Sequence, residues 1–183
     1  PAVLAYLNER DAVVKQLGDR FKAQPSEIVE RVSALQEELK ATGKALAAAQ
    51  AELAVAKAGA LAAKAEPVGE FQLLVERLDG VDGAGLQGAA QSLADQLGDA
   101  SAVVLGGLPD PSDLGKVILV AAFGKQVIAA QLQAGKFIGG IAKLCGGGGG
   151  GRPNLAQAGG RDGSALTDAL AKARSELEAG LQS

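Results

Sequence analysis

The sequence predicts an α+β chain: a long antiparallel helical (coiled-coil) arm over residues 1–66, then a small α/β globular domain with a mixed sheet over residues 67–183. Three observations predict it. Apolar residues recur at helical spacing through the first third of the chain. "KAEPVGEF" then interrupts them with Pro67 and Gly69. Beyond it, short aliphatic runs alternate with helical stretches.

In the first helix Val3, Leu7, Val14, Leu17 and Phe21 repeat at spacings of three and four, apart from polar Arg10. "AQPSEIVE" breaks it. Pro25 suits the first turn of a second helix, with Glu27 and Glu30 near its positive end. That helix carries a heptad: Val32, Leu39, Leu46 and Leu53 on one seam, Ile28, Leu35, Thr42, Ala49 and Ala56 on the other. About 40 residues at 1.5 Å each make an arm of roughly 60 Å. The first helix is expected to fold back along it. The arm is then either a spacer hairpin or a surface that dimerises or holds a partner.

Beyond Pro67, "FQLLVERL" (71–78) reads as a strand. Residues 85–98 read as a helix with Leu86, Ala89, Ala90, Leu93 and Leu97 on one face. "SAVVLGGL" (101–108) and "KVILVAAF" (116–123) read as strands joined by the turn sequence "PDPSDLG". Residues 125–145 are mostly helical, interrupted at Gly135, Gly139 and Gly140. A glycine run follows, read as a loop, then a short strand over 155–158 and a last helix over 164–181, capped by Asp162 or Ser164.

Composition excludes several chemistries. Apolar residues make up 48% of the chain and aromatics only 3%, so thin Ala-rich helices and a small aliphatic core are expected. There is no His and a single Cys, which removes a Ser-His-Asp triad, a Cys-His nucleophile, an internal disulfide and Cys- or His-ligated zinc. No metal and no cofactor are expected. Cys145 reads as a small buried apolar residue, since no base or second thiol stands beside it in sequence. The longest apolar run, Val117 to Phe123, is too short to span a bilayer, and no signal peptide is visible, so a cytoplasmic location is expected. A start at Pro1 rather than Met suggests a fragment or a processed product.

The charges are segregated. From Glu66 to Asp113 there are nine acids and one base, Arg77, a balance of −8. From Leu114 to Arg161 there are six bases and no acid: Lys116, Lys125, Lys136, Lys143, Arg152 and Arg161. The net charge of −3 hides this division. The basic segment is either a phosphate footprint or the electrostatic partner of the acidic one.

"CGGGGGGRPNLAQAGG" (145–160) lies inside that segment. Glycines admit positive φ and close approach of a ligand, and successive N–H groups in such a loop form an anion nest. Arg152 adds a fork that fits phosphate. The run follows a helix rather than a strand, and no GK[ST] occurs, so neither the dinucleotide nor the Walker pattern holds. Phosphate contact and a purely structural turn both remain open.

The stretch "GGGGGGRPNLAQAGG" resembles the signature that closes the C-terminal domain of alanyl-tRNA synthetase, GG-K-GGG-RPDMAQAGG, a branch of the DHH-associated family. "LAYLNERDAVVKQLGDRFKAQPSEIVERVSALQEEL" is similar to the linker that precedes that domain. The chain departs from the signature at Gly148, where the family has Lys, and at Asn154 and Leu155, where it has Asp and Met.

The resemblance implies a non-catalytic module that contacts the outer corner of alanine-specific tRNA and links aminoacylation with editing, the parent chain being an alanine–tRNA ligase. With tRNA as partner, the basic segment and the glycine run are expected to form one surface that contacts it, through Lys125, Lys136, Lys143, Gly149, Gly150, Gly151, Arg152, Asn154, Gln157 and Arg161, and no membrane partner is expected. The resemblance also allows a homodimer, through the arm or the globular domain. The alternative is a self-associating coiled-coil module with weak or non-tRNA nucleic-acid binding. A phosphoesterase-type accessory domain is disfavoured, because its usual GGGH is absent.

Overall fold

The computed structural model describes residues 2–182, except the side chains of residues 2–5, 8, 47, 50, 51, 53–55, 57 and 58; Val3 and Leu53 of the expected seams lie outside the described side chains. The chain divides into two units, residues 1–46 and 47–183.

Two helices open the chain, α1 (Ala2–Phe21) and α2 (Ile28–Ala62). Pro25 lies in the turn between them rather than in the first turn of α2, and Glu27 accepts a hydrogen bond from the Gln24 N–H at 3.1 Å. Of the two acids expected near the positive end of α2, only Glu30 lies in its first turn. The seams expected of a coiled coil are not covered. Leu39 is 75% exposed and Leu46 58%, while Ile28 is buried. An apolar repeat signals a partner without supplying one, and coiled-coil pairing is not shown.

The second unit carries a six-stranded mixed sheet of order β1-β2-β3-β4-β6-β5. Strands β1 (Glu66–Val68) and β2 (Phe71–Arg77) form a hairpin whose two-residue turn places Gly69 at φ +62. Strand β1 was not legible in "KAEPVGEF", which reads as a break. Helix α3 (Gly83–Leu97) then crosses over to β3 (Ser101–Gly107), parallel to β2. The Asp82 carboxylate caps α3 by accepting the Gly85 N–H at 2.8 Å, and Gly98 ends it at φ +86. Strand β4 (Val117–Phe123) returns antiparallel to β3. Every residue of β3 and β4 is buried, which is why both read as continuous apolar runs rather than alternating ones.

Helix covers both faces of the sheet. Leu86, Ala89, Ala90 and Leu93 of α3 pack on Leu74, Val103, Leu105, Ile118, Val120 and Ala122, with Leu61 and Ala62 from the end of α2. On the other face, α5 (Ala134–Ala142) and α6 (Leu166–Leu181) pack on Leu73, Val75, Val104, Leu119, Ala156 and Ala158. Arg174 of α6 ties this layer to the first hairpin, donating to Glu66 at 2.6 Å and to the Val75 carbonyl at 3.1 Å.

The helix expected over 125–145 is broken elsewhere than at its glycines. Helix α4 (Lys125–Ala129) ends before Gln131, which adopts φ +68, and α5 begins at Ala134. Gly135, Gly139 and Gly140 lie within α5. Nor does Asp162 or Ser164 cap α6. The Asp162 carboxylate is taken by the amide and hydroxyl of Ser164, at 3.0 and 2.5 Å, and the cap position falls on Ala165.

Candidate functional site

The glycine run is a strand, not a loop. Residues Gly148–Gly151 form β5, an edge strand paired antiparallel with β6 (Leu155–Gly160). Within the run only Gly146 has positive φ, so the alternating conformation that would aim successive N–H groups at one anion is not formed.

The glycines divide by position. A Cβ on Gly147 would strike the Gly159 carbonyl, one on Gly149 would strike Ala158 and the Gln157 carbonyl, and one on Gly151 would stand 2.7 Å from the Ala156 Cα. Helix α5 closes on the strand from outside: a Cβ on Gly135 would stand 2.6 Å from the Gly151 carbonyl, and one on Gly139 would stand 2.9 Å from that of Gly149. Two glycines one helical turn apart thus let α5 lie against bare backbone. Gly148, by contrast, faces open space. It pairs with Gly159, and Gly150 with Gln157, on the sheet face opposite Ala156 and Ala158. A concavity of about 700 Å³ opens there, lined by Gly146, Gly147, Gly148, Gln157, Lys116 and Arg161, among others.

The six bases of the 114–161 segment do not gather on one surface. Lys125 follows the end of β4, Arg152 and Asn154 form the β5–β6 turn, and Lys136 lies in the first turn of α5. The Pro153 carbonyl accepts the Ala134 N–H and that of Asn154 accepts the Phe123 N–H, both at 2.9 Å, so these elements meet at one end of the sheet. Lys116 precedes β4, Arg161 follows β6, and Lys143 starts a short 3₁₀ turn over Lys143–Cys145. The Cys145 carbonyl accepts the Arg161 N–H at 2.8 Å, which fixes these three at the opposite end. Lys116 stands outside the ten candidates although it lines the concavity. The sequence marks it only as one of the six bases of the segment, and its position 30 residues before Gly146 gives no reason to place it beside the glycine run.

The acidic and basic segments do not neutralise one another. Among the described residues one ion pair joins them, Lys125 to Asp99 at 3.5 Å, and both side chains are exposed. Glu66, Glu76 and Asp79 pair instead with Arg174, Lys64 and Arg77. Lys116, Lys136, Lys143, Arg152 and Arg161 form no ion pair among the described residues. Asn154 lines a smaller cleft of about 270 Å³ with Gln91, Asp95, Asp99 and Lys125. Hydrogen bonds from the Ser164 hydroxyl and amide hold the Asp162 carboxyl below its ordinary range. Burial, with Asp162 nearby, pushes the Cys145 thiol up and leaves it inert. No group of three His, Cys, Asp or Glu among the described residues stands where it could hold a metal ion, and no described helix is long and apolar enough to cross a membrane.

Residues 70–179 match the family model of the DHHA1 domain, which takes in α3, α5 and every strand but β1. The chain belongs to the DHHA1 domain family. Along nearly its whole length it is also similar to alanine–tRNA ligases. It is 91% identical to that of Parasynechococcus marenigrum (strain WH8102) over 181 residues, 99% of this chain and 20% of the ligase. It is 85% identical to that of Synechococcus sp. (strain CC9605) over 177 residues, 97% of this chain and 20% of the ligase. The chain therefore spans about a fifth of the relatives it matches. Among solved structures it is similar to the C-Ala domain of Aquifex aeolicus alanyl-tRNA synthetase, with a TM-score of 0.52 and 28% identity, over 65% of this chain and 98% of that one. The expected resemblance is thus shown: this DHHA1 chain is similar to the C-terminal module of that enzyme type.

Proposed function

We propose that the chain is a non-catalytic tRNA-binding module of an alanyl-tRNA synthetase, with residues 1–66 serving as a helical arm and residues 67–183 as the binding domain. In this reading it grips the outer corner of alanine-specific tRNA, so that one bound tRNA serves both aminoacylation and editing in the parent ligase. The observation that carries the reading is five basic side chains without an ion-pair partner among the described residues, set at both ends of a strand pair largely bare of side chains. Cations left unpaired in a chain with surplus acid are available for phosphate, and glycine strands admit a polyanion close to the backbone. The two basic ends favour contact with two separate stretches of RNA backbone, recognised by shape.

The experiment is a titration of the chain with tRNA at two salt concentrations. Affinity is expected to fall with salt, because each neutralised phosphate releases counterions. Arg152→Ala is expected to cost about 1–3 kcal/mol where its guanidinium makes a charge-assisted contact. Lys136→Glu and Lys143→Glu act in the same direction. Binding that ignores salt and all three substitutions would remove this surface from the reading.

A second reading rests on α2. Its exposed Leu35, Leu39 and Leu46 suit a self-associating arm that dimerises the module. Mass measurement by sedimentation decides it: a concentration-dependent dimer that Leu39→Asp dissociates supports it, and a monomer at all concentrations refutes it.

A further inference from the structure

The concavity beside β5 and β6 holds chemistry that phosphate contact alone does not use. Its floor is backbone, from Gly146–Gly148 and Gly159–Gly160. Lys116 and Arg161 border it, no acidic residue lines it, and neither base forms an ion pair among the described residues. Gln157 also lines it. Gln157 is exposed, and its side chain makes no hydrogen bond among the described residues. A carboxamide presents a donor and an acceptor in one plane, the complement of a nucleobase edge. Its volume of about 700 Å³ lies within the usual range of small-ligand pockets, about 300–1,000 Å³.

We propose that this concavity takes one unstacked nucleotide of the bound RNA, with the Gln157 carboxamide on the base edge and Lys116 and Arg161 on the adjoining phosphates. This rests on the tRNA-binding reading and adds a base contact to it. RNA that is read by sequence offers unstacked bases in loops, whereas a duplex offers none. Gly83 is the positioning residue. It opens α3 beside β6, and a Cβ there would stand 2.7 Å from Gln157 Nε2 and 3.4 Å from its Cδ. The bare position gives the carboxamide room to lie over the concavity, with the first turn of α3 at its back.

The test titrates the 183-residue chain with a tRNA transcript and with a blunt RNA duplex that has no unstacked base, each at two salt concentrations. Gln157→Ala is expected to weaken tRNA binding about 5- to 150-fold, the worth of one bidentate base contact. Duplex binding, the salt slope and the melting temperature stay unchanged. Lys116→Gln and Arg161→Gln each lower the salt slope for tRNA by about 0.7–0.9. Gly83→Ala gives an intermediate loss, and Gly83→Ala with Gln157→Ala is no worse than Gln157→Ala alone. Equal losses on tRNA and duplex, or none on either, overturn the base contact while leaving the tRNA reading intact. Wild type that binds neither RNA in a salt-dependent way overturns both.

Discussion

Two neighbouring alanines in the glycine strand are expected to act in opposite directions. At Gly149 an added Cβ meets the Ala158 Cα and Cβ and the Gln157 carbonyl. Two of those three atoms are backbone, so the hairpin has to separate. Overpacking of this kind costs about 1–3 kcal/mol, and more when no side chain can turn away. At Gly148 the same atom meets nothing within 4 Å and φ is not positive. There alanine removes unfolded-state freedom and raises stability by about 0.4–1 kcal/mol. The two variants should therefore differ by about 1.4–4 kcal/mol. At roughly 3–5 °C per kcal/mol for a unit of this size, that gap is about 4–20 °C in melting temperature. Far-ultraviolet circular dichroism melts of Gly148→Ala, Gly149→Ala and wild type measure it. If Gly149→Ala melts with or above Gly148→Ala, the strand assignment and the close approach drawn from it are wrong.

Other substitutions probe the remaining layers. Arg174→Ala removes the bonds to Glu66 and to the Val75 carbonyl and is expected to cost about 1–2 kcal/mol in urea denaturation, since both charged partners are partly exposed. In a lone chain Leu39→Asp should change stability by no more than about 0.5 kcal/mol, because the side chain already faces water; a larger loss, read with sedimentation, would reveal a covered seam. Asp110 and Asp162 titrate below their ordinary value in the folded chain, held down by Ser112 and Ser164. They therefore favour the fold at neutral pH, and that contribution fades as pH falls from about 4 through the folded values. Asp162→Asn should flatten the acid limb of a stability–pH profile. Cys145 should resist alkylation at pH 8 until denaturant exposes it, because it is buried and its thiol is pushed up.

Much of the sheet was legible because side chains declare it. Strands β2, β3 and β4 are aliphatic runs bounded by turn residues, and α3 shows its buried face at Leu86, Ala89, Ala90 and Leu93. Strand β5 was not, because glycine carries no strand preference. Its extension is imposed by β6 and α5, and the clue was Gly135 and Gly139, four residues apart, which read as helix breaks. The actual break at Gln131 had no such signal. The charge segregation was legible; its placement was not. The six bases fall seven to eleven residues apart, about one strand or short-helix crossing each, so the chain carries three of them to each end of the sheet, with only Lys125 and Lys136 falling successively at the same end. The α2 heptad was read correctly as a repeat, but a repeat cannot say whether its partner lies in the same chain.

The close contacts of the glycines also decide which mutations the chain can recover from. An alanine at Gly106 would press on Leu119, Leu166 and Leu170, all through side-chain atoms. Trimming one of those leucines makes room, so a second-site suppressor is available. At Gly107 the obstacle is the Leu78 carbonyl, at Gly124 that of Asp99 and at Gly147 that of Gly159. Carbonyl oxygens are present whatever residue stands there. No substitution elsewhere can shrink them, so a revertant screen started from alanine at those three positions should return only glycine codons.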